Sequence, residues 1–443
     1  MRLLVIDPDG SNGLDLCIRA QDHGHEVKLA IRSEKNKLVG TGFVEVVRDP
    51  RDWFRWANLI VATDNNVYLR DLDLHRADGG LVIAATQEVA QWEINRQLGQ
   101  AILKKAGIAT IPSTTFHDYD AAIRHVKKNM KRYVSKPTGD GTADKALSYV
   151  SSGPDDMIYM LERWKKLGKL KTPFILQDFV AGVEMGVAGW FGPGGWNEGW
   201  EENFEFKKLM NDDFGPATGE QGTVMRYVTT SKLANKMLKP LTDTLEKAGY
   251  VGDIDVNCII DEKGQAWPLE FTARLGWPAF NLQIALLQGD PVEWLHSLAT
   301  GKDYRGLLHD QVCVGVVMSI PDYPYSHLTR KEVCGIPVYG STKASLWKHI
   351  HPCEMQLCPA PKQINGQILT IPQPSTAGDY VLTMTAVAPT VRDAALTCYR
   401  RLDRLKVPNS PMYRTDVGKR LAKDLPKIQA KGYATNLLYS QTV

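Results

Sequence analysis

The chain reads as an α/β protein, partly α+β in its later half, and three observations carry that reading. An apolar run at residues 3–6 passes through Asp7-Pro-Asp-Gly-Ser-Asn-Gly13 into a helical stretch at 14–23 and then Glu26-Val-Lys-Leu-Ala-Ile31. Strand, turn, helix and strand in that order open a parallel sheet. The 443 residues exceed one ordinary core, and the length prior is about three domains. Beyond about residue 310 the pattern changes to short strands and turns, which sets a β-rich C-terminal region apart.

Strands at 59–62 and 81–84 complete a small doubly wound unit over residues 1–90. Its turn, Asp9-Gly-Ser-Asn-Gly13, would present backbone N–H groups to a phosphate at a helix N-terminus. It lacks the full G-x-G-x-x-G pattern of dinucleotide sites. Residues 91–107 and 118–130 carry helical spacing, the first ending at Gly107. Lys131-Arg-Tyr-Val-Ser-Lys136 is a strand that runs into a loop holding Gly139, Gly141 and Lys145. Pro173-Phe-Ile-Leu-Gln-Asp-Phe-Val-Ala-Gly-Val-Glu184 is a second strand, residues 185–230 are strands and loops, and helices follow at 231–248, 282–299 and 391–405.

Composition excludes several classes. With 43% apolar and 23% charged residues and a formal net charge of +3, the chain has the balance of a soluble globular protein and no basic bias toward nucleic acid. Seven cysteines without regular close spacing point to a reducing compartment. Cys353 and Cys358 near His349 and His351 lack a second ligand pair, so a proline-marked loop is the stronger reading there than zinc. Neither a signal h-region nor a bilayer-length apolar run occurs, which makes the cytoplasm the expected location.

The chemistry concentrates in one hairpin. Asp253-Ile-Asp-Val-Asn-Cys-Ile-Ile-Asp261 alternates polar and apolar residues, Asp261-Glu-Lys-Gly264 signals a turn, and Trp267-Pro-Leu-Glu-Phe-Thr-Ala-Arg-Leu-Gly-Trp277 follows. Residues i and i+2 share a strand face, so Glu270, Thr272 and Arg274 line one surface. Pairing Ile260 with Gln265 sets Asp255 opposite Glu270 and Asp253 opposite Thr272. Facing carboxylates repel unless a cation sits between them, and an oxygen-only set beside an arginine suits Mg²⁺ with phosphates. A half-solvated strand pair with its acids in water fits the same pattern. Lys136 and Lys145 bracketing Gly139 and Gly141 fit a phosphate-covering loop, or an ordinary surface loop. Gln177, Asp178, Phe179 and Val180 fit an adenine-binding edge with Glu184 on a ribose, or simply a buried strand.

Taken in order, these residues resemble the ATP-grasp superfamily, and most closely the phosphoribosylamine–glycine ligase family. Lys136 to Lys145 is similar to the family's lysine strand and Gly loop, and Gln177 to Glu184 resembles its adenine hinge. Glu205-Phe-Lys-Lys208 with Asp213-Phe-Gly-Pro-Ala-Thr-Gly219 resembles its substrate loop, and Glu270-Phe-Thr-Ala-Arg-Leu-Gly-Trp-Pro-Ala279 its metal motif. Val312-Cys-Val-Gly-Val-Val-Met318 and Tyr413-Arg-Thr-Asp-Val-Gly418 resemble its C-terminal strand and closing motif. The resemblance implies a central ATP-grasp domain over 91–309, with a nucleotide-closing part at about 110–180, and a C-terminal domain over 310–443. It implies ATP and Mg²⁺ as cofactors. Arg96, Lys136 and Lys145 would meet phosphates, Glu184 the ribose, and Arg274 the phosphoryl or acyl-phosphate group. Asp255 and Glu270 would hold Mg²⁺, with Thr272 a third ligand acting through water. Lys207, Asp213 and Thr218 would line the carboxylate or amine pocket.

Departures from the family pattern bear on the substrate. Asp7-Pro-Asp-Gly-Ser-Asn-Gly13 stands where the family has a Gly-Ser-Gly-Gly-Arg-Glu-His type of loop, and Thr272 stands for the metal-ligand asparagine. Trp277 and Ala279 replace an Asp and a Glu, while Ala217, Glu220 and Gln221 alter the substrate loop. The expectation is an ATP-dependent carboxylate–amine ligase that forms an amide through an acyl phosphate on altered small-molecule partners, an amino acid such as glycine among them. The alternatives are a true phosphoribosylamine–glycine ligase and an ATP-binding protein without turnover. A monomer or homodimer is expected.

Overall fold

The computed structural model describes residues 1–10, 12–138, 148–169, 173–197, 199–302 and 308–441. Gly139, Gly141 and Lys145, expected in the phosphate loop, lie outside the described residues. Strands β1 (Arg2–Ile6), β2 (Glu26–Ala30), β3 (Glu45–Val47), β4 (Leu59–Ala62) and β5 (Val82–Ile83) form a parallel sheet in the order β3-β2-β1-β4-β5. Alternation in β1 sends Leu3 and Val5 to one core with Leu14 and Cys17, and Leu4 and Ile6 to another with Leu72. Burial on both faces is the mark of a doubly wound sheet.

The turn after β1 departs from the sequence reading. Asp7 Oδ2 accepts the backbone N–H groups of Asn12 (2.9 Å) and Gly13 (2.7 Å), and Oδ1 accepts the Thr63 hydroxyl at 2.8 Å. The chain's own carboxylate therefore occupies the N-terminus of helix Gly13–Asp22, where a phosphate was expected. A Cβ on Gly13 would stand 2.7 Å from Val5 Cγ1, so helix and strand pack at backbone distance.

A second sheet comprises β6 (Ser113–Phe116), β7 (Tyr133–Pro137), β8 (Tyr149–Val150) and β9 (Phe174–Asp178), antiparallel in the order β6-β9-β7-β8. Helices Tyr119–Lys128 and Pro154–Lys166 cover it with their own apolar cluster, including Val126, Leu161, Trp164 and Phe174.

The large sheet begins with β10 (Val183–Gly192), β11 (Gly195–Trp196), β12 (Trp200–Glu205), β13 (Gly222–Val228), β14 (Gly252–Ile260) and β15 (Ala266–Thr272). It continues through β16 (Val312–Ser319) and β17 (Ile350–Pro352). A long hairpin, β18 (Met355–Ile364) with β19 (Gln367–Thr376), precedes the return strand β20 (Tyr380–Ala388). The order is β15-β14-β10-β12-β13-β16-β20-β17, with β11 on β10, so the sheet runs on past residue 310 through antiparallel pairing of β13 with β16.

Helices expected as single rods are broken by local chemistry. The stretch 91–107 is two helices, Gln87–Ile94 and Arg96–Lys105, because Asn95 leaves helical geometry and caps the second through its side chain on Leu98 N–H. Pro240 interrupts 231–248, and Asp290 caps a new helix at Pro291–Ala299 where one run over 282–299 was expected. Among the described residues, no helix is long and apolar enough to cross a membrane. All seven cysteines are free thiols.

Removing the Asp7 carboxylate (Asp7→Ala) strands the buried N–H groups of Asn12 and Gly13. A loss of about 1–3 kcal/mol is expected, read as a lower urea midpoint at unchanged slope.

Candidate active site

The hairpin forms, but in a different register. Asp261 closes the turn by pairing with Gln265, its amide donating to the Gln265 carbonyl (3.0 Å) and its carboxylate accepting the Lys263 and Gln265 amides. Gly264 takes φ +79°, the three-residue loop geometry with a left-handed glycine. Ile260 therefore faces Ala266 rather than Gln265. A bulge at Leu269 then shifts the ladder once more. Asp255 stands opposite Thr272 and Glu270 opposite Asn257, so the expected Asp255–Glu270 and Asp253–Thr272 pairs do not form. The two shifts sum to two residues, which preserves the face.

That face extends across four strands. Register places Glu270 and Thr272 (β15), Asp253, Asp255 and Asn257 (β14), Glu184, Gly186 and Ala188 (β10), and Glu201, Asn203 and Glu205 (β12) on one side. Gly186 and Ala188 leave the centre bare, and Asn203 Nδ2 reaches across β10 to Asp255 Oδ2 at 2.8 Å. A Cβ on Gly186 would lie 2.2 Å from Asn203 Oδ1, so the bridge needs glycine there.

Lys207 is the centre of charge. Its Nζ lies 2.8 Å from Glu205, 2.9 Å from Glu184 and 3.6 Å from Glu270. Burial alone would lower its pKa, but Glu205, Glu184 and Glu270 outweigh burial and keep the ammonium protonated well above its usual range. Burial would likewise raise Glu270, yet Lys207, Arg96 and Lys136 hold it far below the ordinary carboxylate range. Arg96 donates to Glu270 Oε2 at 3.0 Å. Lys136, on β7 of the small sheet, is pushed down to about 8 by burial and by Arg96, against the pull of Glu270. Residues from three distant segments thus meet at the junction of the two antiparallel sheets.

A cavity of about 120 Å³ opens on this face, lined among others by Glu205, Lys207, Glu220, Asp255, Asn257, Glu270, Thr272, Arg274 and Trp277. Arg274 is oriented by Glu93 (Nε to Oε1, 3.1 Å) and by the Leu275 carbonyl. Trp277 packs against Tyr380 with ring centroids 3.8 Å apart and planes tilted by 47°, and Tyr323 continues the aromatic wall. Asn12 Nδ2 donates to the Gly276 carbonyl at 3.2 Å, tying the N-terminal turn to the cavity mouth.

Other expected residues lie apart. Asp213 pairs with Arg414 (2.7 Å) and Arg420 (3.2 Å) and ties its loop to the C-terminal segment rather than lining the cavity. The Thr218 hydroxyl donates to the Lys207 carbonyl at 2.8 Å, bracing that loop. Gln177 is buried in β9, bonded to β6 and β7 on either side. Asp178 pairs with Lys131 at 2.6 Å, Phe179 lies 3.5 Å beneath the Arg132 guanidinium, and Val180 is half-buried. Asn257, Asn203, Glu201, Gln283 and Glu93 escaped the sequence reading. The alternation Glu201, Asn203, Glu205 was a legible signal for the first strand, whereas nothing local marks Gln283 or Glu93.

The donors of Asp255, Glu270 and Thr272 are hard oxygens suited to Mg²⁺, and Asp255 Oδ1 is buried without a partner. Among the described residues no three acids, histidines or cysteines form a ready metal cage, as expected where phosphates and water complete the shell.

In fold the chain resembles ATP-grasp ligases. No family model matches the chain. In sequence it is similar to the phosphoribosylamine–glycine ligase of Ralstonia nicotianae, 25% identical over 362 residues that cover 79% of this chain and 81% of that enzyme. In structure it is similar to the phosphoribosylamine–glycine ligase of Thermotoga maritima (TM-score 0.69, 18% identity, 94% of this chain and 100% of that one). It also resembles the MgADP-bound biotin carboxylase domain of the Hydrogenobacter thermophilus 2-oxoglutarate carboxylase (TM-score 0.60, 13% identity, 99% and 96%).

Lys136 gives a signed pH prediction. Unliganded, it loses its proton above pH about 8, and polyphosphate placed against it restores the charge. ATP binding at pH 8.5–9.5 should therefore take up protons, measured calorimetrically in buffers of different ionisation enthalpy. Lys136→Gln should abolish that uptake.

Proposed function

We propose that this chain is an ATP-dependent carboxylate–amine ligase whose co-substrates differ from phosphoribosylamine and glycine. The observation that carries the ligase reading is the convergence of Lys136, Arg96 and Lys207 on Glu270, with Glu184 alongside, between a small lid-like sheet and the large sheet. Phosphoryl transfer asks a protein chiefly for positioned charge, and this cluster supplies it. Relatives and neighbours named as ligases or nucleotide-bound carboxylases support the same reading.

In this reading Mg²⁺-ATP supplies the phosphoryl group that activates a carboxylate as an acyl phosphate, which an amine then displaces to leave an amide. Lys136 and Arg96 attract the phosphates, together with Lys145 and the Gly139–Gly141 loop. Gln177 to Val180 border the adenine and Glu184 takes the ribose. Asp255, Glu270 and Thr272 would hold Mg²⁺, which would screen the charge of the phosphates. Arg274, set by Glu93, faces the transferred group, and Lys207 faces the carboxylate. Thr218 and Asp213 shape the loop that carries the acceptor.

Two features support a changed co-substrate. Asp7 fills the helix N-terminus that would otherwise cradle a phosphate. Trp277, packed on Tyr380, presents a flat apolar wall where the resembling family has a charged residue.

The test is ATP-dependent phosphate release across a panel of amino acids and amines. Glu270→Gln should lower kcat by about 10²–10³, and unchanged turnover in that variant sinks the site assignment. Efficient turnover of phosphoribosylamine with glycine, and of nothing else, sinks the changed co-substrate.

A further inference from the structure

The inner end of the cavity is lined by Glu201, Asn203, Asp253 and Asp255. Glu201 and Asp253 are 1% and 3% exposed. Their hydrogen-bond donors are side-chain amides. Asn203 Nδ2 donates to Glu201 (3.0 Å) and Asp255 (2.8 Å), and Gln283 Nε2 donates to Glu201 (2.5 Å) and Asp253 (2.9 Å). The cavity's cations, Lys207 and Arg274, are engaged elsewhere by Glu184, Glu205 and Glu93. Beyond Asp255 Oδ1, which the Mg²⁺ reading uses, three buried oxygens remain without any partner: Asp253 Oδ1, Asn203 Oδ1 and Gln283 Oε1. The two amide oxygens are acceptors, as is Asp253 in its ionised form, and a buried acceptor left unpaired is costly. The missing component is a donor-rich cation.

With Asp255 given to Mg²⁺ above, Glu201 and Asp253 are the two carboxylates left at this end, and the groups between them are side-chain amides rather than further metal ligands. An alkylammonium offers three N–H donors in spread directions, and its methylenes can lie along Trp277, a ring suited to cation and alkyl contact. The cavity exceeds by several-fold the 10–15 Å³ or so that one water needs. Along β14, Asp253 lies four residues, about 13 Å, from the Asn257–Glu270 pair where the phosphates are placed. Carboxylates stabilise the protonated form of an amine, so the group held here is not the one that attacks the acyl phosphate.

Resting on the ligase reading above, we infer that this end of the cavity anchors a second, non-reacting ammonium group of the amine co-substrate, which is therefore a short diamine or a basic amino acid. The experiment is calorimetric titration of the full chain with 1,4-diaminobutane, 1,5-diaminopentane and lysine. Butylamine and Mg²⁺ alone serve as controls. A diamine or lysine should bind at least about tenfold more tightly than butylamine, and Glu201→Gln or Asp253→Asn should weaken it by roughly 10- to 100-fold. ATP titration and the far-ultraviolet spectrum of each variant establish that it is folded. Equal binding of monoamine and diamine, equal affinity in folded variants, or Mg²⁺ binding that depends on Glu201 overturns the inference. Phosphate release driven only by neutral monoamines removes the anchor while leaving the ligase reading intact. Diamine binding lost in both variants, with no carboxylate ever triggering phosphate release, supports the anchor and removes the ligase reading.

Discussion

The half-buried ammonium of Lys207 is the constraint on which the site depends. Three carboxylates, Glu184, Glu205 and Glu270, approach it from three strands, and Asn257 donates to two of them (2.9 Å to Glu184, 2.7 Å to Glu205). Carboxylates held this close together repel one another unless a cation and hydrogen-bond donors sit between them. Removing Lys207 would leave three neighbouring carboxylates without their shared cation, so its ammonium binds β10, β12 and β15 into one arrangement and helps keep Glu270 ionised. An ionised Glu270 is what draws Arg96 from the preceding helix and Lys136 from the small sheet.

The backbone makes that convergence possible. A left-handed Gly264 and the extra residue at Leu269 set which β15 residue faces which on β14, and Gln100 reaches the Leu269 carbonyl at 3.4 Å. Gly186 and Ala188 remove side-chain bulk between β14 and β12, so polar groups on both flanks can meet over β10. The opposite face of these strands, with Met185, Val187, Ile254 and Val256, is buried in the main apolar core. A polar face on an apolar foundation gives a site whose groups are oriented before any ligand arrives.

Distant segments close around this sheet through buried polar contacts. Asp15 on the first helix accepts from His351 Nδ1 at 2.7 Å, both 1% exposed, while Arg19 donates to the Ile350 carbonyl at 2.7 Å. Burial would raise Asp15, but His351 and Arg19 prevail and keep it below its usual pKa. The same helix begins at the Asp7-braced turn whose Asn12 reaches Gly276. N-terminal unit, cavity mouth and C-terminal strands are thereby coupled mechanically to one another.

The parallel N-terminal sheet and the strand face shared by Glu270 and Thr272 were legible in the sequence. These follow from hydrophobic period and side-chain alternation, which are local. Register was not legible, because a turn of one glycine and a one-residue bulge leave no periodic trace, and together they replaced Asp255 by Asn257 opposite Glu270. Nor was the fate of the Asp7 turn, whose carboxylate folds back onto its own helix end. Which acids share Lys207, which stay without a cation near Glu201 and Asp253, and the departure of Asp213 to Arg414 emerge only in three dimensions. The physical reason is common to all three: compensation of a buried charge depends on distance in space, and sequence separation carries almost no information about it.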